Sequence, residues 1–131
     1  MKPEILSIDH VVMNTHDVEA TADWYVKVLG FRREPFGPGQ RVALKFGDQK
    51  FNLRPFGDTE WGTCPVETPG ALDMCFRARG PIEAVIAHLG ECDVAIEHGP
   101  FTQIGALGPM TSVYCRDPDG NLIEIASYEG R

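Results

Sequence analysis

Two stretches of this chain read as strand, helix and then three strands, in the same order, on either side of a Gly/Pro/Thr-rich segment. Repetition constrains the fold more than any single residue, because a β-α-β-β-β unit must lay one apolar helix stripe on one sheet face. In the first copy, residues 5–14 (ILSIDHVVMN) are β-branched and apolar with interleaved polar residues, which predicts a strand. DVEATADWYVKVLGF follows, with Val18, Ala22, Tyr25, Val26 and Leu29 at i, i+4, i+7, i+8 and i+11, one helical stripe. Asp17 is placed to cap its start and Gly30 to end it in a left-handed turn. Short strands near 31–36 and 41–47 flank GPGQ, and KFNLRPF makes a fourth strand after the GDQ turn.

Residues 57–70 mix Gly, Pro, Thr and acids, a linker composition. The plan then repeats. ALDMCFRA predicts a strand and PIEAVIAHLG a helix, with Ile82, Val85, Ile86 and Leu89 on one stripe. Pro81 suits the first helical position and Gly90 the C-terminal stop. DVAIEHGPF predicts an edge strand. TSVYCR and NLIEIASY predict a hairpin around DPDG, where Pro118 presets the turn and Gly120 supplies a positive φ. The expectation is one α+β domain over 1–131, with module one at about 5–56, a linker at about 57–70 and module two at about 71–128. Helices cover the outer face, and the other face forms a concave half-barrel sheet with a cleft.

At 131 residues and 43% apolar, the chain can bury a real core. A net charge of −7 opposes nucleic acid and is compatible with a cation. No apolar run approaches the ~20 residues of a membrane helix. The opening MKPEILSIDH lacks the apolar core of a signal peptide, so a cytoplasmic location is expected. Cys64, Cys75, Cys92 and Cys115 form no CxxC pair, which opposes a structural zinc site and fits reduced cysteines. Cys75 and Cys115 are expected to fill the core from strands.

Alternation then sorts side chains by face. In the last strand Ile123 and Ile125 take the helix side, leaving Leu122, Glu124, Ala126 and Tyr128 for the cleft. Phe51 and Leu53 take the helix side, leaving Asn52 and Arg54. Val11 and Met13 take it too, leaving His10 and Val12. Leu72, Met74 and Phe76 do the same, leaving Asp73 and Cys75. His10, Asn52, Asp73 and Glu124 thus occupy polar-permitting positions on the first or last strand of a module. Carboxylates and an imidazole converging in a partly dry cleft need a neutralising charge, which a divalent metal supplies.

IDHVVMNTHDVEATADWYVKVLGF and SVYCRDPDGNLIEIASY resemble the opening and closing motifs of the vicinal oxygen chelate superfamily. That superfamily comprises glyoxalase I, bleomycin-resistance proteins, fosfomycin-inactivating enzymes and extradiol dioxygenases. The branch most similar is that of small glyoxalase-domain-containing or virulence-associated proteins. The resemblance implies metal ligands at His10 and Glu124, with Asn52 where many members carry Glu or Gln and Asp73 where many carry His. It also implies a homodimer. One imidazole with oxygen donors suits Mn²⁺, Mg²⁺, Ni²⁺ or Zn²⁺, and a single histidine argues against iron-dependent ring cleavage. The implied chemistry is that of a lyase, isomerase or transferase on a small substrate with neighbouring oxygens, Glu124 serving as base. Arg54 and Tyr114 are candidates to hold the substrate, although Arg54 is equally placed to pair with Glu60 or Asp58. A metal-free protein that binds a drug-like molecule is the alternative. His16, His88 and His98 read as surface residues, and specificity is expected from loops 37–41, 56–70 and 99–110.

Overall fold

The computed structural model describes residues 1–129. The chain divides into two compact units, the first ending at Thr68 and the second starting at Pro69. The first contains β1 (His10–Thr15), α1 (Val18–Leu29), β2 (Arg32–Phe36), β3 (Arg41–Phe46) and β4 (Gln49–Pro55). The second contains β5 (Asp73–Arg77), α2 (Ile82–Glu91), β6 (His98–Gly105), β7 (Gly108–Arg116) and β8 (Leu122–Ser127). Each unit is a four-stranded mixed sheet with one helix, in the orders β1-β4-β3-β2 and β5-β8-β7-β6. The first strand of each pairs parallel with the last, and the other pairs are antiparallel. The α+β class and the doubled βαβββ order read from the sequence are the observed ones.

The first unit's helix ends follow the sequence. Asp17 Oδ1 accepts the Ala20 N–H at 3.0 Å, and Gly30 closes the helix at φ 70°. The buried stripe is rotated from the expected one: Thr21, Ala22, Tyr25 and Val28 are buried, while Val26 is exposed. The polar Thr21 tolerates burial because its hydroxyl pairs with that of Thr15 at 2.7 Å. Tyr25 meets the Phe51 ring edge-on at 5.9 Å, and Phe31 stacks on Phe46 at 4.5 Å. Phe51 and Leu53 therefore lie on the helix side, which leaves Asn52 and Arg54 on the other.

The second unit departs further. Residues 99–110, expected as a loop, form most of the β6–β7 hairpin, and the strand expected over 93–101 begins only at His98. Most β6 residues are exposed, so its sequence lacks the alternation burial imposes. Pro81 is the N-cap of α2 rather than its first residue, and it provides no side-chain bond. Gly90 lies within the helix, and the reversal comes at Asp93, at φ 58°. Aspartate tolerates that left-handed conformation through local hydrogen bonds.

The turn before β8 is strongly tied. Asp117 Oδ1 accepts the N–H groups of Asp119 and Asn121 at 3.0 and 2.9 Å. Asn121 Nδ2 donates to Asp117 Oδ2 at 2.7 Å, and its Oδ1 accepts the Leu72 N–H at 2.9 Å. This buried network sets where β8 starts against β5, and hence which residue stands opposite Glu124.

Candidate functional site

Glu124 lies at the middle of a row that crosses the second sheet. Cys75 of β5 stands opposite it on one side and Tyr114 of β7 on the other, with His98 of β6 beyond. All share the face opposite to the one holding buried Ile123, Ile125, Val113 and Cys115. Glu124 is half-buried, and its Oε2 is buried without a hydrogen-bond partner. Leaving such an acceptor unpaired costs about 1–3 kcal/mol, more for a charged group.

The neighbours of Glu124 register its charge. Although Cys75 is an exposed residue, partial burial of its thiol, and then the Glu124 carboxylate beside it, push its pKa up to about 11. Burial, and then the Glu124 carboxylate standing beside it, likewise push the Tyr114 phenol up. Both groups are thus proton donors beside the carboxylate at neutral pH. The expectation that Cys75 fills the core is corrected here, because its parity puts it on the open face. Cys115, of the opposite parity, is fully buried. Asp73 shares the face of Cys75, two residues before it, and is exposed. His98 is exposed, as read from the sequence, and begins β6 with its ring centroid 6.3 Å from that of Tyr114. Only the strand register reveals it, since β6 itself has no legible pattern.

In the first unit Asn52 is flanked by Val12 and Ala43. It is 6% exposed, and its Oδ1 is buried without a partner. His10 stands in the row of Lys50, Lys45 and Arg32. Its Nδ1 lies 2.8 Å from Asp9 Oδ1, which leaves Nε2 for another partner, and its side chain is half-exposed. The hydrogen bond and charge of His10 hold the Asp9 carboxyl below its usual value.

Arg54 is buried at 3% exposure, donating to Trp61 O at 2.7 Å, Asn14 Oδ1 at 2.9 Å, Glu67 Oε1 at 3.1 Å and Asp58 O at 2.5 Å. Its donors hold the segment 57–67 in place, and the carboxylate it meets is Glu67 rather than Glu60 or the Asp58 side chain.

Within the first unit the unpartnered Asn52 oxygen and the His10 Nε2, and within the second the Glu124 Oε2, are each of a donor type that suits a hard or borderline divalent ion. Among the described residues, no three His, Cys, Asp or Glu side chains are grouped so as to hold a metal ion.

Paired βαβββ units with a polar residue in the middle of each last strand define a class that comparison with known proteins identifies. Residues 7–60 match the model of the glyoxalase/bleomycin resistance protein/dioxygenase superfamily. The chain is 42% identical over 125 residues to the glyoxalase domain-containing protein RDO1 of Mycosarcoma maydis, covering 95% of this chain and 70% of that one. It is 40% identical over 121 residues to virulence protein STM3117 of Salmonella typhimurium, covering 92% and 83%. A crystal structure of that protein superposes with a TM-score of 0.91 over 96% of this chain and 99% of that one. An integron cassette protein from V. cholerae superposes with a TM-score of 0.94 at 37% identity, over 98% and 100%. The chain belongs to the glyoxalase/bleomycin resistance protein/dioxygenase superfamily.

Proposed function

We propose that this protein is a glyoxalase-type lyase, isomerase or transferase that acts, with a divalent metal ion, on a small substrate carrying two neighbouring oxygens. The observation that carries this reading is the buried, unpartnered Oε2 of Glu124 between two proton donors. His10, Asn52 and Glu124 would hold the ion, with Asp73 as a further oxygen donor. Bound there, the ion supplies Lewis-acid stabilisation of negative charge on a substrate oxygen. Glu124 would take a proton from the substrate on Oε2. Cys75 and Tyr114 would hold the carboxylate in orientation while that proton moves.

The metal content of protein purified without chelator or affinity tag tests this. Bound Mn²⁺, Ni²⁺, Zn²⁺ or Mg²⁺ that falls in both His10→Ala and Glu124→Ala is the expected result. Protein that stays metal-free after dialysis against these ions would sink it. The second reading is a metal-free small-molecule binding protein. The row His10–Lys50–Lys45–Arg32 favours it, because three cations beside an imidazole oppose a further positive charge.

Among the described residues the four cysteines form no disulfide, which supports the proposed cytoplasmic setting. Exposed Ile5, Leu6 and Ile8 before β1, with Val26 on α1, support a homodimer through the first-strand region or the helix. A sedimentation run showing only a 14.5 kDa species at micromolar concentration would remove the dimer.

A further inference from the structure

The second unit holds a cavity of about 310 Å³ lined by Arg77, Ala78, Arg79, Tyr128 and Glu129. Arg77 ends β5 and stands opposite Ala126 of β8. It is two residues beyond Cys75 and on the same face, so it lies roughly 7 Å along the strand from the Glu124 row. Neither Arg77 nor Arg79 makes an ion pair among the described residues, whose ion pairs use His10, Arg33, Arg54 and Arg116. The chain has 19 acidic residues against 12 basic ones, so two arginines outside any ion pair are not explained by a shortage of acids.

The surroundings keep that pair open. Glu129 also lines the cavity, its Oε2 accepting the Gly80 N–H at 2.5 Å, and it makes no ion pair with either arginine. The Arg77 guanidinium carbon lies 5.3 Å from the Tyr128 ring centroid, a cation–π contact that orients the fork without using its N–H groups. Tyr128 Oη accepts the Leu107 N–H at 3.2 Å, so its own proton is free to donate. A side chain at Gly105 would collide with that hydroxyl and with Met110 Sδ, so the glycine lets the tyrosine stand where it does. The Arg77 guanidinium over the ring and the Tyr128 O–H, with Arg79 also lining the cavity, outnumber the one carboxylate of Glu129 there and give the cavity the donors of an oxyanion receptor.

We propose that this cavity is an anion subsite, which holds a carboxylate or phosphate group of a small ligand whose other end lies at Glu124. The placement of the reacting end rests on the proposed function; the anion subsite itself does not. The substrate class narrows accordingly: a small anionic compound with its charged group about 7 Å from the oxygens that react.

The test uses the whole protein without added metal. Inorganic phosphate and, separately, acetate are titrated at constant ionic strength while NMR follows the arginine Nε–H groups and the Tyr128 amide. Saturable shifts at Arg77, Arg79 and Tyr128 are expected, with affinity falling about tenfold in Arg77→Gln and in Arg79→Gln. Arg77→Lys, which keeps the charge and loses the fork, should fall between. Arg33→Gln, at an arginine already paired with Glu19, should leave the affinity unchanged. The backbone spectrum of each variant reports whether it folds. Tighter phosphate marks a phosphorylated ligand, and tighter acetate a carboxylate. Shifts that do not saturate, or an affinity in Arg77→Gln within twofold of wild type, would overturn the subsite. Glu124→Gln should lose metal and keep phosphate binding, so failure of the metal reading and failure of the subsite are separate results.

Discussion

The two units place different residues at equivalent positions of one topology. Asn52 in β4 and Glu124 in β8 are both central, and both carry a buried oxygen without a partner. Asn52 has apolar neighbours, Val12 and Ala43, where Glu124 has the donors Cys75 and Tyr114. One step along, Asn14 faces Arg54 in the first unit, while Arg77 faces Ala126 in the second. Arg54 makes four hydrogen bonds, one of them to Asn14, and Arg77 has a tyrosine ring beneath it. The first unit spends its polar groups on holding its own loop. The second leaves comparable groups available, which is where chemistry is expected.

The largest expected effect tests whether the first unit is the better-packed half. Phe51→Ala opens a cavity among Tyr25, Phe31 and Phe46 and should cost about 3–5 kcal/mol. Ile82→Ala on α2 acts at a residue already 9% exposed and should cost about 2 kcal/mol, the low end of the range for such truncations. Urea unfolding of both variants checks the order. Equal losses would break the contrast in packing.

Asn121→Ala follows in size. It leaves the Leu72 N–H and Asp117 Oδ2 without the partners they now have, and should cost about 1–3 kcal/mol. The network registers β8 against β5, so the variant should also disturb the Glu124 row. Amide exchange at Cys75 and Tyr114 should rise more than at Val12 and Ala43, and equal protection would show that the turn does not set the site.

Much of this was legible in the sequence, and the illegible parts share a cause. Asp17, Gly30, Pro118 and Gly120 carry local signals, and the faces of β4 and β8 follow from alternation among strongly apolar residues. Burial of Thr21 was not legible, because its partner Thr15 lies across the unit on β1. The role of Arg54 depended on backbone carbonyls at Asp58 and Trp61, which no residue type announces. The rows that give Glu124 its donors and His10 its cationic neighbours are properties of strand register. Register between distant strands is set by networks such as Asp117–Asn121–Leu72, not by the letters of either strand.

A smaller effect compares the two orphaned oxygens. Replacing Glu124 by Leu removes an unpaired buried acceptor and should leave stability unchanged or raise it by about 1 kcal/mol, while abolishing any metal-dependent activity. Asn52→Leu should also be neutral or stabilising, and should weaken metal binding less, because a neutral amide contributes less than a carboxylate. Thermal melts with metal titrations measure both. A destabilised Glu124→Leu protein would show that the carboxylate is structural and that the two positions do not differ in kind.

The smallest effect concerns the thiol that distinguishes the two rows, Cys75 where the first unit has Val12. Its pKa of about 11 lies above the ordinary 9.0, because partial burial and Glu124 disfavour the thiolate. A group raised in the folded state adds stability that is fully present below the unfolded value and is lost as pH rises through the folded one. The window is therefore between 9 and about 11. The same shift controls reactivity, since the thiolate is the nucleophile. With Cys64 and Cys92 changed to Ser and Cys115 fully buried, alkylation by iodoacetamide reports on Cys75. Its rate should still be climbing at pH 10, where a thiol of ordinary pKa is nearing its plateau. Glu124→Gln removes the charge but not the partial burial, so the rise should move down in pH without reaching 9. A wild-type rate that levels off by pH 10, as for an ordinary thiol, or a Glu124→Gln profile that matches wild type, would mean that Glu124 does not act on Cys75, and the second row would lose the feature that separates it from the first.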